Sequence, residues 1–446
     1  MRRFGMISLM VVAGLWLMPD SGVAQNDYHE IAPGLTWGGS YRGRGEIKNN
    51  YKFGVNQPGN KQSYSLGQFR LNLKWNPVDE VTFFVEGQDA RMASETSTDD
   101  NARPSIYADN LDVHQAYVDI NFPAEYMPVA LKIGRQKLNL GDQRMVASLE
   151  WVNTARVWDA VQMTFGTPGE RTVQAFISHL VPVTPHGWND WYDTGNRMWD
   201  SYLHGIYYTD AVSLVNSQWE AYYLYREEDR HRQPDQTHSF GLRIQTQQGN
   251  LDADGEIVGQ LGTFAALDHR ALALHLGAGY TVNPDANGRI GAAYNYATGD
   301  DDKTDGTHGT FDNLYPLNHA YYGYMDFFSW QNMHNIEFTY SQVLLNDFTL
   351  RVAYQGFWLA QSENDNWYNA GGGVVRNANN VIRPDGSVLI DSKVGDELDI
   401  TVAFPLWERV SGVVGWSHFW TGDYVSATST HTKDADFLFG MAKIAF

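Results

Sequence analysis

Residues 64 to 76 alternate between two kinds of side chain: Phe69, Leu71, Leu73 and Trp75 share one face, while Gln68, Arg70, Asn72 and Lys74 share the other. A period of two marks a strand whose two sides meet different surroundings. The same alternation recurs along the chain. It predicts strands near 35–47, 64–76, 80–92, 111–122, 129–138, 157–166, 171–179, 201–210, 218–227, 237–248, 251–262, 269–281, 287–299, 332–343, 347–359, 394–404, 408–420 and 435–446, eighteen in all. Most run ten to thirteen residues. That is about twice the ~5–6 residues usual in soluble strands and fits the ~9–11 of a tilted membrane crossing.

The connections alternate as well. Those after strands one, three, five, seven, thirteen, fifteen and seventeen are long and polar, 300–331 and 360–393 among them. Those after even strands are tight: Asn76 to Asp79, Phe122 to Pro128, Gly249-Asn250, Leu344 to Asn346 and Pro405 to Trp407. Long extracellular loops with short periplasmic turns belong to outer-membrane barrels. The expected fold is therefore all-β, a transmembrane antiparallel β-barrel of eighteen strands in the outer membrane of a Gram-negative cell, with both termini on the periplasmic side. Trp37, Trp75, Trp219, Tyr280, Trp358, Trp416 and Trp420 sit near strand ends, where aromatic girdles meet the lipid borders. The last strand carries Leu438, Gly440, Ala442 and Ile444 on the face of the terminal Phe446. Such an ending resembles the signal read by the barrel assembly machinery, which is an expected partner along with outer-membrane lipid.

A length of 446 residues by itself suggests two or three domains. Composition argues for strands and turns instead, with 42 Gly, 25 Tyr and 15 Trp, and only 19% charged residues. The absence of Cys excludes a disulfide scaffold or a Cys-ligated metal. Mean hydropathy is −0.41, and past the first two dozen residues no apolar run approaches the ~20 of a spanning helix. Within those first residues, Arg2 and Arg3 precede an apolar stretch from Met6 to Met18, and Gly22-Val23-Ala24 supplies small residues for cleavage. The expected organisation is a secretory signal peptide at 1–24 and a barrel over 25–446. A membrane anchor is the weaker alternative, since Pro19 and Asp20 follow the short apolar run at once. Cleavage removes two cations, Arg2 and Arg3, and one anion, Asp20, so the net charge of −20 becomes −21. A chain this acidic is a poor nucleic-acid binder.

Eighteen strands enclose a water-filled lumen rather than one filled by wall side chains. Alternation places Arg42, Arg44, Arg70, Lys74, Lys132, Arg226, Arg243, Arg289 and Arg351 on the lumen face. Glu86, Asp119, Glu220, Asp252, Asp254, Glu256, Glu337, Glu397 and Asp399 face inward too. Two readings stand: cross-strand pairs that stiffen the wall, or an excess of cations that conducts anions. Much of the remaining acid lies in loops such as Thr98 to Asp100 and Asp300 to Asp305.

The segment Gly134-Arg135-Gln136-Lys137-Leu138-Asn139-Leu140-Gly141-Asp142-Gln143-Arg144, continuing through Ser148-Leu149-Glu150-Trp151-Val152-Asn153-Thr154-Ala155-Arg156 to Asp159, resembles the bacterial alginate export porin family. Ala297 to Asp302, Phe311 to Leu317, His319 to Gly323 and Asp326 are similar to that family's long loop, and Asp396, Glu397 and Asp399 extend the likeness. The resemblance implies an arginine-lined pore that passes a polyuronate, an alginate-like anionic polysaccharide, with periplasmic polysaccharide export or modification proteins as further partners. Repeated guanidinium sites suit a carboxylate on every sugar. By the motif, Arg135, Arg144 and Arg156 join the lining, with Asp142, Glu150, Asn153 and Asp159 as partners that fold the third external loop inward. Replacing Arg44, Arg135 and Arg289 is expected to weaken polymer binding. The family's long periplasmic plug turn has no counterpart among the short turns here. Gating is therefore expected from the loops at 300–331 and 360–393, with Gly306, Gly309 and Gly371 to Gly373 as flexible points.

Enzyme chemistry is not expected. Asp252, Asp254 and Glu256 share a strand face without a sugar cleft, and His179, His204 and His418 have no evident Ser partner for an outer-membrane lipase. No cofactor is expected. Asp300 to Asp305 before Gly306 has the look of a calcium loop, but Lys303 takes a ligand-type position, so a solvated acidic tip is the alternative to a bound ion. A general anion-preferring or substrate-specific diffusion porin, without polysaccharide export, is the alternative function.

Overall fold

The computed structural model describes residues 29–51, 61–94, 106–124, 127–184, 187–188, 200–229, 235–376, 391–428 and 432–446. The signal peptide expected at 1–24 and the acidic run Thr98 to Asp100 lie outside the described residues. One sheet holds twenty strands. Two of these, His29–Ala32 and Thr307–His308, are short additions. The other eighteen form the wall: β1 (Leu35–Asn49), β2 (Gln62–Val78), β3 (Val81–Ser94), β4 (Asp109–Phe122), β5 (Val129–Gln136), β6 (Trp158–Thr167), β7 (Arg171–Leu180), β8 (Ser201–Asp210), β9 (Ser217–Glu228), β10 (Asp235–Gln248), β11 (Leu251–Phe264), β12 (Leu267–Asn283), β13 (Gly288–Ala297), β14 (Met333–Val343), β15 (Thr349–Leu359), β16 (Lys393–Trp407), β17 (Val410–Thr421) and β18 (Ala435–Ala445). Each corresponds in order to a strand expected from alternation.

Every wall strand pairs antiparallel with its neighbours, and β1 closes on β18 from Ser40↔Ala445 to Asn49↔Asp436. Closure leaves no unpaired edge facing hydrocarbon, where an unmet N–H or C=O has no water to bond. The seam ends on the terminal residue: Gly39 N–H donates to the Phe446 carbonyl at 2.7 Å, and the reverse bond is 3.0 Å. The even-strand turns are short as expected, and β16 extends to Trp407 so that its turn is Glu408-Arg409.

Burial runs inside out relative to a soluble protein. Phe69, Leu71, Leu73 and Trp75 are exposed on the outer surface, as are Phe240, Leu242 and Ile244 on β10. Opposite them, Gln68, Arg70 and Asn72 are buried. The apolar core therefore lies within the barrel, and two external loops supply much of it. The third loop (137–157) contributes Leu138, Leu140, Met145, Val146 and Trp151, and the seventh (298–332) contributes Phe311, Leu314, Tyr315, Tyr321, Tyr322, Tyr324, Met325, Phe327, Phe328 and Trp330.

The two loops join as a slab across the lumen. Ala147 N–H donates to the Tyr315 carbonyl at 2.8 Å, Tyr315 N–H to Met145 at 2.9 Å and Leu317 N–H to Gln143 at 3.0 Å. Trp151 stacks on His319 with centroids 3.7 Å apart, and Phe328 stacks on the wall residue Phe357 at 3.9 Å. Residues 360–376 of the eighth loop then lie on the slab. Trp367 Nε1 donates to the Phe327 carbonyl at 2.8 Å, and Ala370 N–H donates to Asp326 at 3.0 Å. Of the loop 300–331, expected to take part in gating, most apolar side chains are buried against the wall and the third loop. Gly306 stands at an open tip, with no atom near its would-be Cβ.

Leu242 sits near the middle of β10 on the lipid face, so Leu242→Arg should cost about 2–4 kcal/mol in urea unfolding from lipid vesicles. Deleting Asn369 to Arg376 unroofs the slab, and a rise in single-channel conductance is the expected result.

Candidate functional site

The lumen is the candidate site, and the third loop organises it. From β5 it reaches two opposite parts of the wall. Its first half anchors at Asp142 and Arg144. Arg144 Nε donates to Asp142 at 2.9 Å; its other nitrogens meet His275 at 3.0 Å, Tyr322 Oη at 3.3 Å and Asn295 at 3.4 Å. Burial alone would lower the Arg144 pKa, but Asp142 and the tyrosines overcome it and hold the guanidinium well above its ordinary value. Arg243 on β10 binds Glu220 at 3.0 Å and approaches Asp142 at 3.7 Å, and the Tyr321 hydroxyl donates to the Asp142 carbonyl.

The second half of the loop is held through its backbone. Five consecutive carbonyls, from Glu150 to Thr154, each accept from a wall side chain. Arg42 donates to Glu150 at 2.5 Å and Val152 at 3.0 Å, Arg44 to Trp151 at 2.6 Å, Gln68 to Asn153 at 2.7 Å and Gln88 to Thr154 at 2.7 Å. The Asn153 amide donates to the carbonyls of Gly67, Arg91 and Tyr107 at 2.9 to 3.2 Å. These bonds meet peptide groups that a loop carried into a lumen would otherwise leave unpaired.

The expected lining cations therefore divide. Arg42 and Arg44 clamp the loop, and Arg44 also pairs with Glu46 at 2.7 Å and lies 4.1 Å over the Trp151 ring. Arg135 is buried against Asp159, directly opposite on β6, at 2.9 Å. Arg144 and Arg243 are buried at the first anchor. Arg226 is buried between Glu228 and the seventh-loop Asp312. Arg156 donates to the Ala147 carbonyl at 2.9 Å; burial pushes its pKa down to about 10, opposed by Tyr315. Lys74, Arg289 and Arg351 keep partial access to the lumen. Arg289 reaches across β12 to Asp252 on β11 at 2.5 Å, over Gly279, where a Cβ would lie 2.0 Å from the guanidinium. Arg351 pairs with Glu337 at 3.0 Å, and Lys132 lies 3.7 Å from Asp119. Cross-strand pairing thus accounts for much of the inward charge.

One region differs. Glu150 Oε2 lies 2.8 Å from Arg70 and its Oε1 lies 2.6 Å from Lys137. Lys443 on β18 is a further inward cation, half-buried within the electrostatic reach of Glu150. Two cations hold the carboxylate, and Arg42 holds the carbonyl of the same residue. Burial pushes the Glu150 pKa up, yet Arg70, Lys137 and His114 bring it well below its usual value. Although Glu150 lies deep in the barrel, 40% of its side chain remains accessible. Lys137 and Lys443 were not among the residues expected to line the pore. Parity could have found Lys443, which continues the inward series Phe437, Phe439 and Met441; Lys137 lies just past the end of β5 and carries no periodic signal.

The remaining motifs are absorbed locally. Asp252 binds Arg289, Asp254 binds His275 at 2.7 Å, and Glu256 accepts from Tyr222 at 2.5 Å, so the three acids do not act as one group. Asp302 and Asp305 cap their own turn through the N–H groups of Thr304 and Thr307. Among the described residues no three His, Asp or Glu side chains converge on a metal position. Ser178 directs its hydroxyl to the Leu203 carbonyl at 2.6 Å.

Replacing Arg42 by Ala strips two carbonyl bonds from the loop. Hydrogen exchange at residues 148–156 should then quicken by about 10- to 100-fold, the loss of one or two charged hydrogen bonds.

Similar folds are known. The outer membrane protein OprD of Pseudomonas aeruginosa matches with a TM-score of 0.58 at 11% identity, over 95% of this chain and 97% of that one. OccK9 (OpdG) of the same organism matches with a TM-score of 0.60 at 12% identity, over 94% and 100%. OccAB4 of Acinetobacter baumannii gives 0.57 at 11%, over 95% and 100%. At these identities the likeness is one of fold, an outer-membrane porin barrel. No curated protein matches by sequence. The alginate export family profile matches residues 34–439, and with nearly the whole wall and both inward loops inside that match, the chain belongs to the alginate export family.

Proposed function

We propose that this chain is a porin that exports an alginate-like polyuronate across the outer membrane. The observation that carries the reading is the cluster around Glu150, whose carboxylate is held by Arg70 and Lys137 while Arg42 takes the backbone carbonyl of the same residue. Elsewhere inward cations are largely matched by acids on adjacent strands or loops; here positive charge is in excess and partly open to water. A guanidinium accepts a carboxylate in a fixed two-pronged geometry, and an ammonium offers a mobile point charge. Together they can take a uronate carboxylate and release it. Lys74, Lys132, Arg289 and Arg351 continue accessible positive positions along the wall, each tempered by a neighbouring acid or polar group. Periplasmic export or modification proteins would deliver the polymer. Weak successive sites suit a chain that must leave as readily as it enters.

A substrate-specific porin for small anions is the second reading. The slab favours it, because two packed loops narrow the space available to a polymer.

Planar bilayer recording separates the two. For polyuronate export, reversal potentials should show anion preference, and mannuronate oligomers should block the current where neutral oligosaccharides do not. Arg70→Ala and Lys137→Ala should each weaken that block by about 10-fold. Arg44→Ala should affect it less, because Arg44 is buried beneath the loop. Cation preference would sink both readings, and anion preference without oligomer block would leave the small-anion porin.

A further inference from the structure

The third loop needs no side chain at position 150 to stay in the lumen. Its carbonyls from Glu150 to Thr154 are held by Arg42, Arg44, Gln68 and Gln88, and Asn153 adds three further bonds. Glu150 nevertheless projects its carboxylate among the cations. Most other inward ion pairs join groups on the same strand or on strands one or two places apart, such as Arg44 with Glu46, Arg135 with Asp159 and Arg289 with Asp252, and the loop acids that reach wall arginines, Asp312 at Arg226 and Asp142 at Arg243, are themselves buried, 13% and 3% exposed. Glu150 also brings a loop carboxylate to the wall, at Arg70 on β2, and in addition takes Lys137 at the start of its own loop. It is also the more accessible partner of its pairs, 40% against 10% for Arg70 and 26% for Lys137.

These features describe a ligand position filled by the protein itself. Resting on the polyuronate reading above, we infer that Glu150 is an internal stand-in for substrate: its carboxylate occupies the subsite formed by Arg70 and Lys137, and a uronate carboxylate enters by displacing it. Exchange of one carboxylate for another keeps the number of charges in the cluster constant. The desolvated cations are never left bare, which would be costly in a confined site. The exchange also sets the affinity, because every incoming sugar competes with a tethered anion at high effective concentration. Binding stays weak enough for the polymer to move on.

The test uses the full barrel in planar bilayers, comparing wild type with Glu150→Gln, which keeps the shape and removes the charge. Mannuronate oligomers should block the variant about 10-fold more tightly. Its chloride-over-potassium permeability ratio should rise, and its response to neutral oligosaccharides should not change. Adding Lys137→Ala to Glu150→Gln should reverse the gain. Heat-modifiable migration on gels and protease resistance of residues 137–157 confirm that barrel and loop are intact. If wild type is blocked and the variant is blocked no more tightly, the inference is overturned while the proposed function stands. If mannuronate oligomers block neither protein, the polyuronate reading falls, and the permeability ratio decides the inference alone: a rise supports a carboxylate-competed anion subsite, and no change overturns it.

Discussion

Closure of the sheet is the constraint from which the other features follow. With β1 bonded to β18, the backbone of the wall is satisfied within the sheet, and outward side chains are free to be apolar. Inward side chains then face an enclosed space wider than they can fill. Two loops occupy much of that space, and to do so they bring peptide groups away from bulk water. The row of carbonyls from Glu150 to Thr154 shows how this is met, since wall positions that could have been dedicated to solute donate to main chain instead. The same inward face of β1, β2 and β3 therefore serves as a scaffold for the loop and as the border of the basic cluster.

Charge in the lumen follows from this double use. An inward arginine is costly to bury unless it finds an anion or several carbonyl oxygens. Arg135, Arg243 and Arg351 find anions on neighbouring strands, while Arg42 finds carbonyls. Glycine at two positions lets such contacts form at close range. Gly279 leaves room for Arg289 to reach Asp252, and Gly323, with φ of +87, lets the seventh loop sit where a Cβ would be 2.5 Å from the Glu397 carboxylate. Met325 N–H donates to that carboxylate at 2.9 Å, tying the loop to β16.

The wall was legible because alternation is a local property: Phe69 and Arg70 declare their faces without reference to any other part of the chain. The slab was only partly legible. The motif from Gly134 to Asp159 pointed to an inward third loop through its likeness to a family, whereas nothing periodic marks Phe311 to Trp330 as interior. The fate of each cation was least legible of all. Arg42 and Arg70 have the same parity and chemistry, yet one clamps peptide oxygens and the other holds an accessible carboxylate. Their partners lie 80 to 110 residues away, a distance at which sequence alone carries no geometric information.

That separation also bears on how the molecule comes into being. Contacts between Arg42 or Arg44 and residues 150–152 span 107 to 110 positions and need β1, β2 and the third loop to be placed together first. Contacts so distant in sequence are entropically expensive until the intervening chain is ordered. The seam that closes the wall, from Ser40↔Ala445 to Asn49↔Asp436, has a far longer reach still. The anchors of the third loop on β1, β2 and β3 thus draw on the chain up to Thr154 alone, whereas closure draws on both ends of the chain.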